Sequence, residues 1–347
     1  MACRVVTNQR CGNNYSASDA ERNKENKKAS SINMQSNALI VIGMHRSGTS
    51  ALSGLLDELG VFMGKSLFAA QKGVNEKGFF ENSELVKLND LLLDAQLSSW
   101  DDPLMTTEAA CTENLLGDYR DSAQRMLSTD YSSQALWGMK DPRTTLLLPF
   151  WRQVFSSLPT VKVNYVLMLR SPFEVAGSLK KRDEFSLEKS LMLWLNYTLL
   201  GYFNSQNAPR LIVSYDNLLS APEKVAKGIA GLVDLTVEID RDKLGFVDKN
   251  LRNQTSQVVP DTYLSKLANE LYINLSKENI DHQAIIALKE EYLDYQQGLS
   301  AVLKEHSISI KKDEVFYRHL FLDAYHSFWW KCSWPIKKLE HLLKGKR

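Results

Sequence analysis

The stretch ALIVIGMHRSGTSALSGLL, Ala38 to Leu56, constrains the fold more than any other part of this 347-residue chain. Leu39 to Ile42 are four consecutive apolar residues, the pattern of a strand buried on both faces. Gly43 and Gly48 bracket a short loop, and an apolar-periodic run from Ser50 begins a helix. Such a turn aims successive backbone N–H groups and the helix dipole at an anion. The spacing from Gly43 to Gly48, Thr49 and Ser50 is that of a triphosphate-gripping loop, yet Thr49 stands where such a loop places lysine. The basic residue is Arg46, inside the loop, a permanently charged fork suited to phosphate or sulfate oxygens. An ordinary tight turn with a solvated arginine is the alternative reading.

Three further apolar segments read as strands: Gln134 to Asp141, Val161 to Arg170 and Arg210 to Leu218. Helical patterns lie between them, notably TTLLLPFWRQVFSSL, SPFEVAGSLKKR and SLEKSLMLWLNYTLLGYF. Apolar strands alternating with helices imply an α/β fold whose parallel sheet is covered on both sides. Ligands of such sheets sit beyond the carboxyl ends of the strands. The first 37 residues are rich in Asn, Ser, Lys and Glu and are expected to form a disordered tail. The catalytic domain is expected over 38–258, followed by a helical C-terminal extension over 259–347.

Net charge is +1, which excludes the broad basic field of a non-specific nucleic-acid binder; an anion must be held locally. Cys3, Cys11, Cys111 and Cys332 have no paired spacing, so neither a disulfide framework nor a metal cluster is expected. The apolar run Leu191 to Phe203 contains Asn196 and falls short of the ~20 residues that span a bilayer. It reads as a buried helix. The N-terminal residues lack a signal-peptide core, and a cytoplasmic location is expected.

A second motif, LRSPFEVAGSL, places Arg170 at a strand end and Ser178 on the next helix, after Pro172 at a first helical position. The two could converge on one anion; the alternative is a solvated strand end and a helix filler. The loop carrying Arg46, Ser47, Gly48, Thr49 and Ser50, followed by LRSPFEVAGSL and then YDNL, resembles the sulfotransferases that use 3′-phosphoadenosine 5′-phosphosulfate (PAPS). The resemblance spans about residues 38–258 and implies a P-loop, nucleotide-kinase-like parallel sheet flanked by helices. It also implies PAPS as donor co-substrate with no metal. By this resemblance the loop holds the 5′-phosphosulfate, Arg170 and Ser178 hold the 3′-phosphate, and Arg252 in DKNLRN belongs to a late basic loop over that phosphate.

GMHRSGTSAL, KGFFEN and KDPRTTLLLPFW resemble the bacterial branch acting on carbohydrates or related hydroxyl acceptors, which implies a glycan or glycolipid partner. In KDPR, Lys140 could reach the transferring group and Arg143 the donor or an acidic acceptor; an ion pair with Asp141 is the alternative for both. The cytosolic small-molecule branch uses a histidine base, but only His45 precedes His282 here. His45 is expected to pack within the loop, which leaves a carboxylate as base: Glu81 by motif order, then Asp101 and Asp102. Trp100 could offer a platform for a sugar ring, whereas Trp137, Trp151 and Trp194 lie in apolar patterns of core type. The aromatic and basic C-terminal segment fits either a peripheral membrane contact or packing against the domain. Two rivals remain: a P-loop kinase with a degenerate loop, using Asp216 for metal, and a non-catalytic nucleotide-binding protein.

Overall fold

The structure, a computed structural model, describes residues 35–68, 80–105, 117–234, 260–299, 301–330 and 332–333. The N-terminal segment expected to be disordered lies almost wholly outside these residues. Strand β1 (Ser36–Gly43) is central, flanked by β2 (Leu136–Lys140) on one side and β3 (Val161–Leu169) on the other, with β4 (Arg210–Ser214) beyond β3. All pairings are parallel; Val41 faces Lys140 and Gly43 faces Met168. The chain therefore leaves β1 to opposite sides of the sheet, which makes the carboxyl end of β1 the point where the strand order reverses and a crevice opens.

Alternation along β1 divides the core into two layers. Ile40 and Ile42 pack in a cluster with Trp151, Trp194 and Leu167, whereas Leu39 and Val41 pack with Leu52, Leu55, Val213 and Ile229 on the other face. Trp137, Trp151 and Trp194 are all buried, as their apolar settings imply. Helix α1 (Thr49–Glu58) follows the loop, and α2 (Ser83–Ala95) and α3 (Gly117–Tyr131) precede β2. Helices α4 (Arg143–Leu146) and α5 (Leu148–Ser156) divide the single helical pattern read in the sequence. The break falls at Leu147, where Pro149 removes the N–H needed to run the ladder through.

Helix α6 (Pro172–Asp183) leads from the Arg170 motif into α7 (Leu187–Asn204), which is buried over most of its length and accommodates the apolar run. Among the described residues no helix is long and apolar enough to cross a membrane. Strand β4 ends four residues earlier than its apolar pattern suggests. There the Ser214 hydroxyl accepts from the Asn217 N–H at 3.1 Å and caps α8 (Tyr215–Ser220). Helices α9 (Pro222–Leu232), α10 (Tyr263–Leu275), α11 (His282–Gln297) and α12 (Ala301–His326) complete the described elements. Leu264, Leu271, Ile285 and Tyr292 of α10 and α11 join the same buried cluster as Ile40. The polar seam beneath them is saturated, with Tyr292 donating to Asn196 Oδ1 at 2.8 Å and Asn196 donating to the Pro103 carbonyl at 3.1 Å.

Candidate functional site

The loop after β1 is held open by backbone conformation. Gly43, Arg46 and Gly48 all have positive φ, at 145°, 67° and 97°. A Cβ on Gly43 would come within 2.7 Å of the Met168 carbonyl, and one on Gly48 would collide with the Tyr215 ring. Both positions therefore require glycine. The Gly43 N–H donates to Thr145 Oγ1 at 2.9 Å, and Ser47 Oγ donates to the Met44 carbonyl at 2.6 Å. Helix α1 starts at Thr49 with no side-chain cap and no acid in its first turn. Among the described residues its first N–H groups are thus left without a side-chain cap, the arrangement that receives an anion at a helix N-terminus.

Three adjacent strands deliver cations to this rim. Arg46 follows β1, Lys140 ends β2 and Arg170 follows β3. Arg46 Nε donates to Ser178 Oγ at 2.8 Å, and Arg170 Nη1 donates to the Arg46 carbonyl at 3.0 Å. The two sequence motifs therefore meet, with Arg46 in contact with both members of the second. Arg170 Nε also pairs with Glu174 at 2.9 Å, its guanidinium lies 4.3 Å from the Tyr215 ring centroid, and its carbonyl accepts from Trp194 Nε1. Arg46 has no ion pair among the described residues. Burial, then Arg182 and Arg170, lower its pKa from the usual value.

Lys140 is almost fully buried and donates to Glu81 Oε1 at 2.7 Å and to Ser50 Oγ at 3.1 Å. Burial lowers its pKa, and Glu81 acts in the opposite direction. The ion pair that engages Arg143 joins it to Asp141 at 2.9 Å and Asp90 at 2.7 Å, so of the two residues weighed for Asp141 only Arg143 takes it. Asp141 is itself held by Asn89 at 2.8 Å, and Asn89 accepts from Trp151 Nε1.

His45 sits between these cations and the aromatic side of the cleft. Its ring centroid is 4.7 Å from Trp100 and 5.8 Å from Tyr197, and its buried Nε2 has no hydrogen-bond partner among the described residues. Burial, reinforced by Arg143, Arg182, Lys140 and Arg46, pushes its pKa well below 6.5, so the imidazole is neutral at pH 7. Trp100 stacks on Phe185 at 5.9 Å and carries Arg182 at 5.2 Å from its ring centroid. Asp101 pairs with Lys189 at 2.8 Å, while Asp102 accepts from Ser98 and from the Leu104 N–H. Asp216, on α8, accepts from the Tyr272 hydroxyl. Arg252 lies outside the described residues.

Sequence reasoning missed Arg182, Glu174 and Tyr215. A signal for the first two was present: Glu174, Ser178 and Arg182 recur every four residues and so share one face of α6. Tyr215 carried none, because its place over Arg170 depends on β4 lying beside β3.

Fold and site together define a parallel α/β protein whose glycine-bracketed loop after the central strand carries an arginine and opens onto a helix N-terminus. No protein-family model matches the sequence, and no curated protein matches it. The solved structures it resembles include several sulfotransferases. The sulfotransferase domain of the Synechococcus PCC 7002 olefin synthase is 15% identical, with 74% of this chain and 94% of that one covered and a TM-score of 0.36. The sulfotransferase domain of the curacin biosynthetic pathway is 14% identical, with 74% and 97% covered and a TM-score of 0.37. Sulfotransferase STF9 from Mycobacterium avium is 14% identical, with 80% of each chain covered and a TM-score of 0.33.

Proposed function

We propose that the chain is a PAPS-dependent sulfotransferase acting on a hydroxyl of a carbohydrate-type acceptor. The observation that carries this reading is the contact of Arg46 with Ser178 at 2.8 Å, which joins the loop to the Arg170 motif in one cationic crevice. The residues present fit the donor: uncapped α1 amides, Ser50, Arg46 and Lys140 for the phosphosulfate end, Arg170 and Ser178 for the 3′-phosphate. When bound, the donor would supply the sulfuryl group, with its bond to the 5′-phosphate broken and adenosine 3′,5′-bisphosphate leaving.

Arg46 and Lys140 stabilise the charge that develops where the sulfuryl group is transferred. Glu81 takes the acceptor proton, and its pairing with Lys140 holds the carboxylate next to the transferring group. Trp100, flanked by Phe185 and His45, offers the acceptor ring an apolar wall, with Arg143 at its margin.

Ligand-dependent thermal unfolding tests the reading. Adenosine 3′,5′-bisphosphate without metal, at about 100 times its Kd, stabilises the fold by about 2.7 kcal/mol, and ATP with Mg²⁺ produces no comparable shift. Because Arg170→Ala alone removes the ion pair of the buried Glu174 carboxylate, the informative variant is Arg170→Ala with Glu174→Gln. It should lose roughly tenfold or more in affinity for the bisphosphate while adenosine 5′-monophosphate is little affected. Tight Mg²⁺-ATP binding without bisphosphate binding would overturn the proposal in favour of a kinase.

A further inference from the structure

Helix α12 is 26 residues long and fastened along one side. Arg318 grips both carboxylate oxygens of Asp94 on α2, at 2.7 and 2.8 Å, and Lys311 and Arg318 share Glu314. Lys311 lies close enough to Asp101 and Asp102 to act on both carboxylates. Both directly follow Trp100, so this part of the helix runs near the aromatic side of the cleft.

The rest of the helix presents large apolar side chains to solvent. On the helix Ile310, Phe316, Tyr317, Leu320, Phe321 and Tyr325 are all exposed, and just beyond it, after a bend at Ser327, so are Phe328 at 70% and Trp329 at 79%. At about 100° per residue Ile310, Tyr317, Phe321 and Tyr325 fall within a stripe roughly 80° wide, with Phe316 and Leu320 to one side of it. Such a run of exposed aromatic residues on one helix is not ordinary surface scatter.

Charge identifies the occupant. Residues 331–347 carry six Lys and Arg against Glu340 alone, a net +5, whereas the whole chain is +1, so residues 1–330 carry −4. A second copy would answer the apolar stripe but would bring a second +5 segment with it. Tyr, Trp and Phe at an interface, followed by a basic segment, suit the boundary of an anionic bilayer, where rings lie at headgroup depth and Lys and Arg meet phosphate.

We propose that the exposed face of α12 seats the protein on an anionic lipid surface, with the cleft beside it turned toward an acceptor anchored in that surface. The inference rests on the sulfotransferase reading for the nature of the acceptor, a hydroxyl of a glycolipid or lipid-linked glycan. The seating itself requires no turnover.

Vesicle flotation of the full chain tests it. The protein should float with phosphatidylglycerol–phosphatidylcholine vesicles, float much less with phosphatidylcholine alone, and detach from the former as salt is raised. Tyr317→Ser with Phe321→Ser and Phe328→Ser should weaken partitioning about tenfold or more, leaving the unfolding midpoint and bisphosphate binding unchanged. Lys337→Glu with Lys338→Glu should remove most of the preference for the anionic vesicles. No flotation on anionic vesicles, flotation indifferent to both variants, or a solution dimer that the triple variant dissociates would each overturn the inference. Bisphosphate binding is read separately, so its absence in a protein that still floats would count against the sulfotransferase reading alone.

Discussion

At the scale of single residues, the site is built from cations whose partners differ. Arg170 and Lys140 are buried and paired, with Glu174 and Glu81 respectively, whereas Arg46 relies on a serine hydroxyl. Charge delivered by an anion therefore has most to gain at Arg46. Glu81 carries two possible duties, proton acceptor and counter-ion of Lys140, and substitution separates them. Glu81→Gln retains the shape but removes the charge, and as general base its loss should lower turnover by about 10²- to 10⁴-fold with bisphosphate affinity nearly unchanged. A parallel loss of bisphosphate affinity would assign Glu81 to holding Lys140, whose charge is then unsupported in its buried position.

At the scale of elements, α7 is the hub. Its apolar run contains one amide, Asn196, and the structure explains its presence. It receives Tyr292 and Gln296 from α11 and returns a hydrogen bond to the Pro103 carbonyl, thereby tying α7 to α11 and to the segment after Trp100. Asn196→Ala takes one acceptor from Tyr292 and Gln296 and one donor from the Pro103 carbonyl in a buried seam, while the Gln296 bonds to Tyr292 and Pro103 and the Tyr292 bond to the Met192 carbonyl remain. A loss of about 1–3 kcal/mol is expected in denaturant unfolding, with the α11 signal and the sheet signal still lost in one transition. Two separated transitions would mean that α10 and α11 fold apart from the sheet.

At the scale of the whole molecule, stability should depend on pH through His45. Folding holds its pKa below 6.5, so as the pH falls past that value the unfolded chain gains a proton that the folded one refuses. Stability therefore decreases toward acid, by up to about 1.4 kcal/mol per pH unit until the folded pKa is reached. The expected outcome is an unfolding midpoint that drops between about pH 7 and pH 5, a drop reduced in His45→Gln. Bisphosphate should also reduce it, since negative charge among the same cations makes protonation of His45 easier. An unchanged pH profile in His45→Gln would show that the acid sensitivity arises elsewhere.

The amino-acid sequence by itself determined the strand–loop–helix at Gly43 to Ser50, the parallel alternation of strands and helices, and the burial of Trp137, Trp151 and Trp194. These are local patterns: apolar runs, glycine positions and helical periodicity act within one element or its neighbour. The early end of β4 is local too, a capping serine whose weight the apolar pattern masked. Only the tertiary structure decided that Arg46 reaches Ser178 across 132 residues, that Lys140 takes Glu81 while Arg143 takes Asp141, and that Tyr215 lies over Arg170. Spacing along the chain does not encode which carboxylate a buried cation meets. That choice follows from strand order, because β2, β1 and β3 end side by side and crowd their terminal residues into one crevice, where charge and distance select the pairs.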